Sequence, residues 1–157
     1  MNPELIEQTV RDYSGKLLKI AYTYTKNTCD AEDIVQEVFL SFITSRQEFA
    51  SQEHIRAWLI RVTINKSKNH VKSAWIAKRS KMPEPCEELS CQENTLLDAV
   101  LSLEEKYRIS IHLFYYEDYS IKEIAQILGK KPATIGSWLD RGRKKLRKQL
   151  GGEFFEA

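Results

Sequence analysis

Six cations crowd one short stretch near the C-terminus: Arg141, Arg143, Lys144, Lys145, Arg147 and Lys148. Guanidinium and ammonium groups at this density pair with phosphate, and that pairing involves no covalent chemistry. A second basic stretch runs from His54 to Met82, with Arg56, Arg61, Lys66, Lys68, Lys72, Lys78, Arg79 and Lys81 and no Asp or Glu. Asn65 and Asn69 sit among those cations and add amide groups that hydrogen-bond phosphates and base edges. Asp30, Glu32, Asp33 and Glu37 form a group of opposite sign earlier in the chain. No Ser/His/Asp set and no glycine-rich phosphate loop appears, and His54, His70 and His112 are scattered. These residue types bind a polyanion and a partner. No enzyme activity, metal or cofactor is expected.

The elements that must position the C-terminal cations read clearly. Ser120 is a good N-cap, with Glu123 at capping-box spacing. Ile121, Ile124, Ala125, Ile127 and Leu128 recur at helical spacing. Gly129 can take the left-handed conformation that ends a helix, and Pro132 falls where a second helix begins. Ile135, Leu139, Leu146 and Leu150 give that second helix one buried edge, and the cations load the rest. A short helix, a glycine turn and a basic helix fit a DNA-binding helix-turn-helix, whose second helix lies in the major groove.

The chain has 157 residues, room for one medium domain or two small ones. Its net charge is only +2, from 24 Lys and Arg against 22 Asp and Glu, so distribution is what informs. From Pro83 to Asp98 there are five acids and no Lys or Arg. Two basic segments therefore flank an acidic one, an arrangement that suits two contacts on a polyanion joined by a strand that avoids it. No apolar run follows Met1 and no stretch reaches membrane-span length, so neither export nor membrane insertion is expected. Cys29, Cys86 and Cys91 are sparse and odd in number, which points to incidental thiols in a reducing cytoplasm.

No strand alternation persists anywhere, so the expected class is all-α. Leu5 to Thr25 reads as a first helix, with Leu17, Leu18, Ala21 and Tyr24 inward. Asp30 is placed to cap a second helix from Ala31 to Ser45, whose apolar face is Ile34, Val35, Val38, Phe39, Phe42 and Ile43. The acids of that helix either cap and solvate it or form a docking face for a basic partner. Phe49, alone in a polar loop, either anchors the loop or stacks on a base. A long helix from His54 to Arg79 has Ile55, Trp58, Leu59, Val62 and Val71 inward and Arg61, Asn65, Lys68, Asn69 and Lys72 outward. Met82 to Cys91, with Pro83 and Pro85, reads as a linker. Helix resumes near Glu93 and leads to the helix-turn-helix, and Gly151 to Ala157 is a short tail expected to fray.

Together these features resemble the short, two-domain extracytoplasmic-function sigma factors of bacterial RNA polymerase, in the sigma-70 family. DAEDIVQEVFL (Asp30–Leu40) is similar to the region 2 helix that docks on the clamp helices of the polymerase beta-prime subunit. IRAWLIRVTINKSKN (Ile55–Asn69) is similar to the segment that melts the promoter and reads its minus-ten element. LLDAVLSLEEKYRISIHLFYYEDYSIKEIAQILGKKPATIGSWLDRGRKKLRKQL is similar to region 4, which binds the minus-thirty-five element and the beta flap.

The resemblance implies two small helical domains joined by a linker: residues 1–82 as region 2, 83–93 as a flexible acidic linker and 94–157 as region 4. It implies polymerase contacts at Asp33, Gln36, Glu37 and Phe39. Phe49, Arg61, Asn65, Lys68 and Asn69 would face the melted strand. Lys131, Thr134, Ser137, Arg141, Arg143 and Lys144 would meet the upstream duplex. It also implies an anti-sigma factor that sequesters the protein until a stress or envelope signal arrives. Departures fall at Gly136 and Trp138, where basic residues are common, and at Gly142, where alanine is usual. Two internal glycines cost about 1 kcal/mol each in helix propensity, so a less rigid recognition helix is expected. The alternative is a free-standing helix-turn-helix repressor with an N-terminal interaction domain, which would bind duplex tightly without polymerase.

Overall fold

Asn2 and Pro3 start the first helix earlier than the apolar spacing indicates. Asn2 is extended and its side chain accepts from the Glu4 N–H at 2.9 Å, and Pro3 fills a position that lacks a backbone partner in any case. The computed structural model describes residues 2–77 and 95–150, and every regular element among them is helical. The chain divides into two units, Met1–Leu89 and Ser90–Ala157. The expected linker at 83–93 and the tail at 151–157 lie outside the described residues.

In the first unit α1 (Pro3–Thr25), α2 (Thr28–Thr44) and α3 (Gln52–Ala77) pack against one another. Lys26 closes α1 in the left-handed conformation, and Asn27, not Asp30, caps α2: its side chain accepts from the Asp30 N–H at 3.1 Å. The short turn leaves the cap only at Asn27, whose backbone is extended, so Asp30 falls inside the first turn. The core is Leu17, Ile20 and Ala21 of α1, Ile34, Val38 and Phe42 of α2, and Ile55, Leu59, Ile60 and Ile64 of α3. Trp58, Val62 and Val71, expected inward, are only half-buried, and Ile60 and Ile64 take the deepest places. Ile43 is not part of the apolar face but 43 % exposed. His70 Nε2 lies 3.3 Å from Asp30 Oδ2 and joins the far part of α3 to the start of α2. Cys29, expected as a plain thiol, is disulfide-bonded. Cys86 and Cys91 lie outside the described residues.

In the second unit α4 (Thr95–Leu101) and α5 (Glu105–Ile111) precede α6 (Ile121–Leu128) and α7 (Pro132–Leu150). Helix α5 runs into a π-helical turn, His112–Tyr116, closed by the Glu117 N–H donating to the His112 carbonyl at 3.2 Å. Asp118 then takes the left-handed conformation at φ 57° and redirects the chain into α6. The capping box is present in full: Glu123 N–H donates to Ser120 Oγ and Ser120 N–H to Glu123 Oε1, each at 3.1 Å. Gly129 ends α6 at φ 67°, the region where a side chain would be strained. Ile135, Leu139, Gly142 and Leu146 are the buried edge of α7, packed with Tyr107, Ile109, Ile111, Leu113 and Ile124. Arg108 is buried too, and its guanidinium donates to the Leu103 carbonyl at 2.7 Å.

Candidate polymerase and nucleic-acid interfaces

Helix α2 presents two chemically distinct sides. Asp33, Gln36 and Glu37 are exposed, one turn apart, opposite the side that carries Ile34, Val38 and Phe42 into the core. Phe39 is not brought to that surface. It is 8 % exposed, because its place in the helical repeat puts it with Val35, Val38 and Phe42. Leu40 takes its place on the outside at 62 % exposure, and Ile43 continues the line. Asp33, Gln36, Leu40 and Ile43 therefore run along one stripe, acidic at its start and apolar at its end. The spacing was available in the sequence, but an apolar residue next to Phe39 reads more readily as core.

On α3 the polar side forms as expected. Arg61, Asn65, Lys68, Asn69 and Lys72 are exposed, and Leu59, Ile60, Thr63, Ile64 and Ser67 are buried on the far side. Lys68 is one turn beyond Asn65 and two beyond Arg61, so a cation, an amide and a second cation follow one line. With no carboxylate from His54 to Met82, nothing on this helix beyond its first turn repels a phosphate.

Phe49 resolves toward anchoring. Its ring lies 5.4 Å from Phe42, which is fully buried, 5.6 Å from Trp58 and 5.2 Å from His54. His54 holds the same loop: its Nδ1 accepts from the Ala50 N–H at 3.1 Å, and the Gln47 side-chain amide lies 3.2 Å from its Nε2. The half-buried ring still borders an open cleft of about 570 Å³ formed with Asn2, Leu5, Ser45 and Arg46. The loop is thus fixed in place beside a cleft, with one aromatic edge reaching it.

In the second unit the cations of α7 do not all face one way. Lys145 reaches Glu104 Oε1 at 3.1 Å and lies 4.9 Å from the centre of the Tyr107 ring. Arg143 is half-buried, its guanidinium 5.7 Å from the Phe114 ring centre and 5.9 Å from that of Tyr115. Both flanks of α7 therefore spend their charge on α5 and the π-turn. The side facing away from the buried edge carries Ser137, Arg141, Lys144 and Lys148, all exposed, with Lys131 exposed just before the helix and Thr134 half-buried in its first turn. Of the residues expected at duplex DNA, Arg143 is thus held to the protein. The Glu104 carboxyl is held below the ordinary carboxylate range, first by its hydrogen bond to Lys145 and then by that ammonium's charge.

Sequence reading missed the π-turn and what it displays. Tyr115 and Tyr116 are exposed, and beneath them His112 stacks on Tyr116 at 5.2 Å and lies 3.6 Å from the buried Glu117 carboxylate. Among the described residues no group of His, Cys, Asp and Glu could hold a metal ion, and no helix is long and apolar enough to cross a membrane.

Both units match family models. Sigma-70 region 2 matches residues 9–76, and Sigma-70 region 4 matches residues 93–146. The chain belongs to the sigma-70 family. It is an RNA polymerase sigma factor of the extracytoplasmic-function group. Over 88 % of its length it is 27 % identical to the ECF RNA polymerase sigma factor SigW of Bacillus subtilis (strain 168), covering 84 % of that protein. Over 95 % of its length it is 28 % identical to the RNA polymerase sigma factor SigV of the same organism, covering 93 % of it. Among solved structures its fold is similar to the sigma factor RpoE in complex with the anti-sigma factor NepR from Bartonella quintana. The TM-score is 0.74 at 22 % identity, with 94 % of this sigma factor and 97 % of that chain covered.

Proposed function

We propose that this sigma factor uses the exposed stripe of α2 to dock on the beta-prime clamp helices of core RNA polymerase, through Asp33, Gln36 and Glu37 with Leu40 and Ile43 beside them. The acids supply charge complementarity to a basic surface and speed encounter. The two apolar residues lose their exposed area to the partner and hold the complex. Helix α3 then takes the unpaired promoter strand, with Arg61 and Lys68 on phosphates and Asn65 and Asn69 on base edges. Phe49 and its cleft receive an unstacked base. Opening is easiest where stacking is weak, so capture of splayed bases selects sequence without any bond being made or broken. Helix α7 reads the upstream duplex in the major groove with Thr134, Ser137, Arg141 and Lys144, aided by Lys131, and the second unit also meets the beta flap. Arg143 supports the helix from behind rather than meeting bases. The acidic residues at 83–93 join the two contacts and stay off the DNA.

The single observation that supports this division of labour is that each unit has an outward face of its own. The acid-free line on α3 suits a single strand, and the basic face of a capped helix-turn-helix suits a duplex. The protein acts in the cytoplasm, catalyses nothing and is held by an anti-sigma factor until a stress or envelope signal frees it. The disulfide at Cys29 is the one feature that stands against a uniformly reducing setting.

The test is assembly with purified core polymerase followed by transcription from a promoter library. A stable complex and promoter-dependent transcripts are expected. A chain that ignores core polymerase yet binds a two-fold symmetric duplex tightly on its own would be a repressor, and the proposal would fall.

A further inference from the structure

Asp140 is the only acid between Lys130 and Leu150. It is exposed on α7, one turn from Ser137 and one from Lys144, beside the residues assigned above to the duplex. Its Oδ2 lies 3.2 Å from the Lys144 ammonium, so the carboxylate is directed along the outward side of the helix, toward Lys144. A negative charge there opposes every phosphate along the groove, and the helix would grip DNA better without it.

The chemistry of the groove says what could offset that cost. A carboxylate only accepts hydrogen bonds. Guanine shows it two acceptors, and thymine an acceptor and a methyl group. Adenine's amino donor sits beside the acceptor N7, which repels the second carboxylate oxygen. Cytosine alone offers an amino donor without a neighbouring acceptor on its own edge. We propose that Asp140 is a specificity-determining residue, its carboxylate requiring a cytosine at one position of the duplex element that α7 reads. This rests on the assignment of α7 to the upstream promoter duplex.

Selection works mainly by exclusion. Opposite any other base the carboxylate is stripped of water and left without a donor. Lys144 keeps the charge balanced and the rotamer set, so the arrangement is ready before DNA arrives.

The experiment compares holoenzymes carrying the native chain, Asp140→Ala and Asp140→Asn on a promoter library randomised through the upstream element, with transcripts sequenced. The native holoenzyme is expected to favour cytosine at one position by roughly ten-fold, the size of one good base contact. Asp140→Ala should bring that preference to within about two-fold, leave the other positions as they were and raise output from mismatched templates. Asp140→Asn, nearly isosteric and able to pair with adenine's N6 and N7, should move the preference from cytosine to adenine at the same position. Identical preferences in all three holoenzymes would overturn the inference, as would a change spread evenly over all positions, which marks a general charge effect. A native holoenzyme that selects no template at all would instead refute the assigned function, and the inference with it.

Discussion

Lys145 places its ammonium 3.1 Å from Glu104 Oε1 and so ties the middle of α7 to the residue that precedes α5. A cation in the most basic helix of the chain is thereby committed to its own fold. The carboxyl's titration should show it. Glu104 sits below the ordinary carboxylate range chiefly because of this hydrogen bond. A depressed folded value contributes stability above the unfolded value and loses it as pH falls through the folded one. The effect is therefore present near neutrality and disappears only on the acid side of the usual carboxylate range. NMR titration of the side-chain carboxyl should find Glu104 low in the native protein and back at its ordinary value in Lys145→Ala.

The same geometry separates the cations of α7 by their effect on DNA. Arg141→Ala and Lys144→Ala should each lower the slope of log affinity against log salt by about 1 for the upstream duplex, measured with holoenzyme. Lys145→Ala should change that slope by clearly less, since its ammonium already faces Glu104 and Tyr107. Equal effects at all three positions would contradict the division between outward face and flank.

Charge reversal on α2 probes the other interface. Asp33→Lys with Glu37→Lys should weaken binding of core polymerase by ten-fold or more, about 1.4 kcal/mol or above, while circular dichroism stays native because both side chains are exposed. Leu40→Ser should add to the loss through slower capture and faster release, without lowering the melting temperature. A stable fold with undiminished polymerase binding would remove this stripe from the interface.

Gly136 and Gly142 should answer differently to alanine. A Cβ at Gly136 meets nothing within 4 Å, so Gly136→Ala should stabilise the second unit by about 0.5–1 kcal/mol through helix propensity. A Cβ at Gly142 would come 2.7 Å from Ile111 Cδ1, and that methyl must move inside a packed core. Gly142→Ala should therefore gain little or lose stability, and urea denaturation of the two variants resolves the difference.

Phe49→Ala should lower the stability of the first unit by about 1–3 kcal/mol, less than a fully buried phenylalanine would, because the ring is only half-buried against Phe42 and Trp58. Loss of strand opening with unchanged stability would mean that stacking on a base outweighs loop anchoring.

Signals confined to a few neighbouring residues were legible in the sequence. The Ser120–Glu123 capping box, the left-handed Gly129 and the start of α7 at Pro132 follow from local hydrogen bonding and backbone sterics, and the structure has all three. So were the outward line from Arg61 to Lys72 and the buried edge Ile135–Leu139–Leu146, which depend only on helical period. What failed needed information from elsewhere in the fold. Asp30 and Asn27 are both good caps, and the choice was made by where the chain turned at Lys26. Phe39 and Leu40 are both large and apolar, and only the packing of α1 and α3 decides which goes in. The cations of α7 look equivalent until Glu104, Phe114 and Tyr115 are placed around them. The winding of His112–Tyr116 left no trace in residue type at all.

That winding has a consequence for evolution and for engineering. A π-turn holds one residue more than an α-helical turn would over the same hydrogen-bonded span, so the segment HLFYY carries a surplus residue by construction. Trimming a single residue there would let the helix wind normally, but it would also swing everything downstream by about 100° around the axis of α5. Chain length at this point should therefore be as intolerant of change as any buried side chain, whichever amino acids fill it.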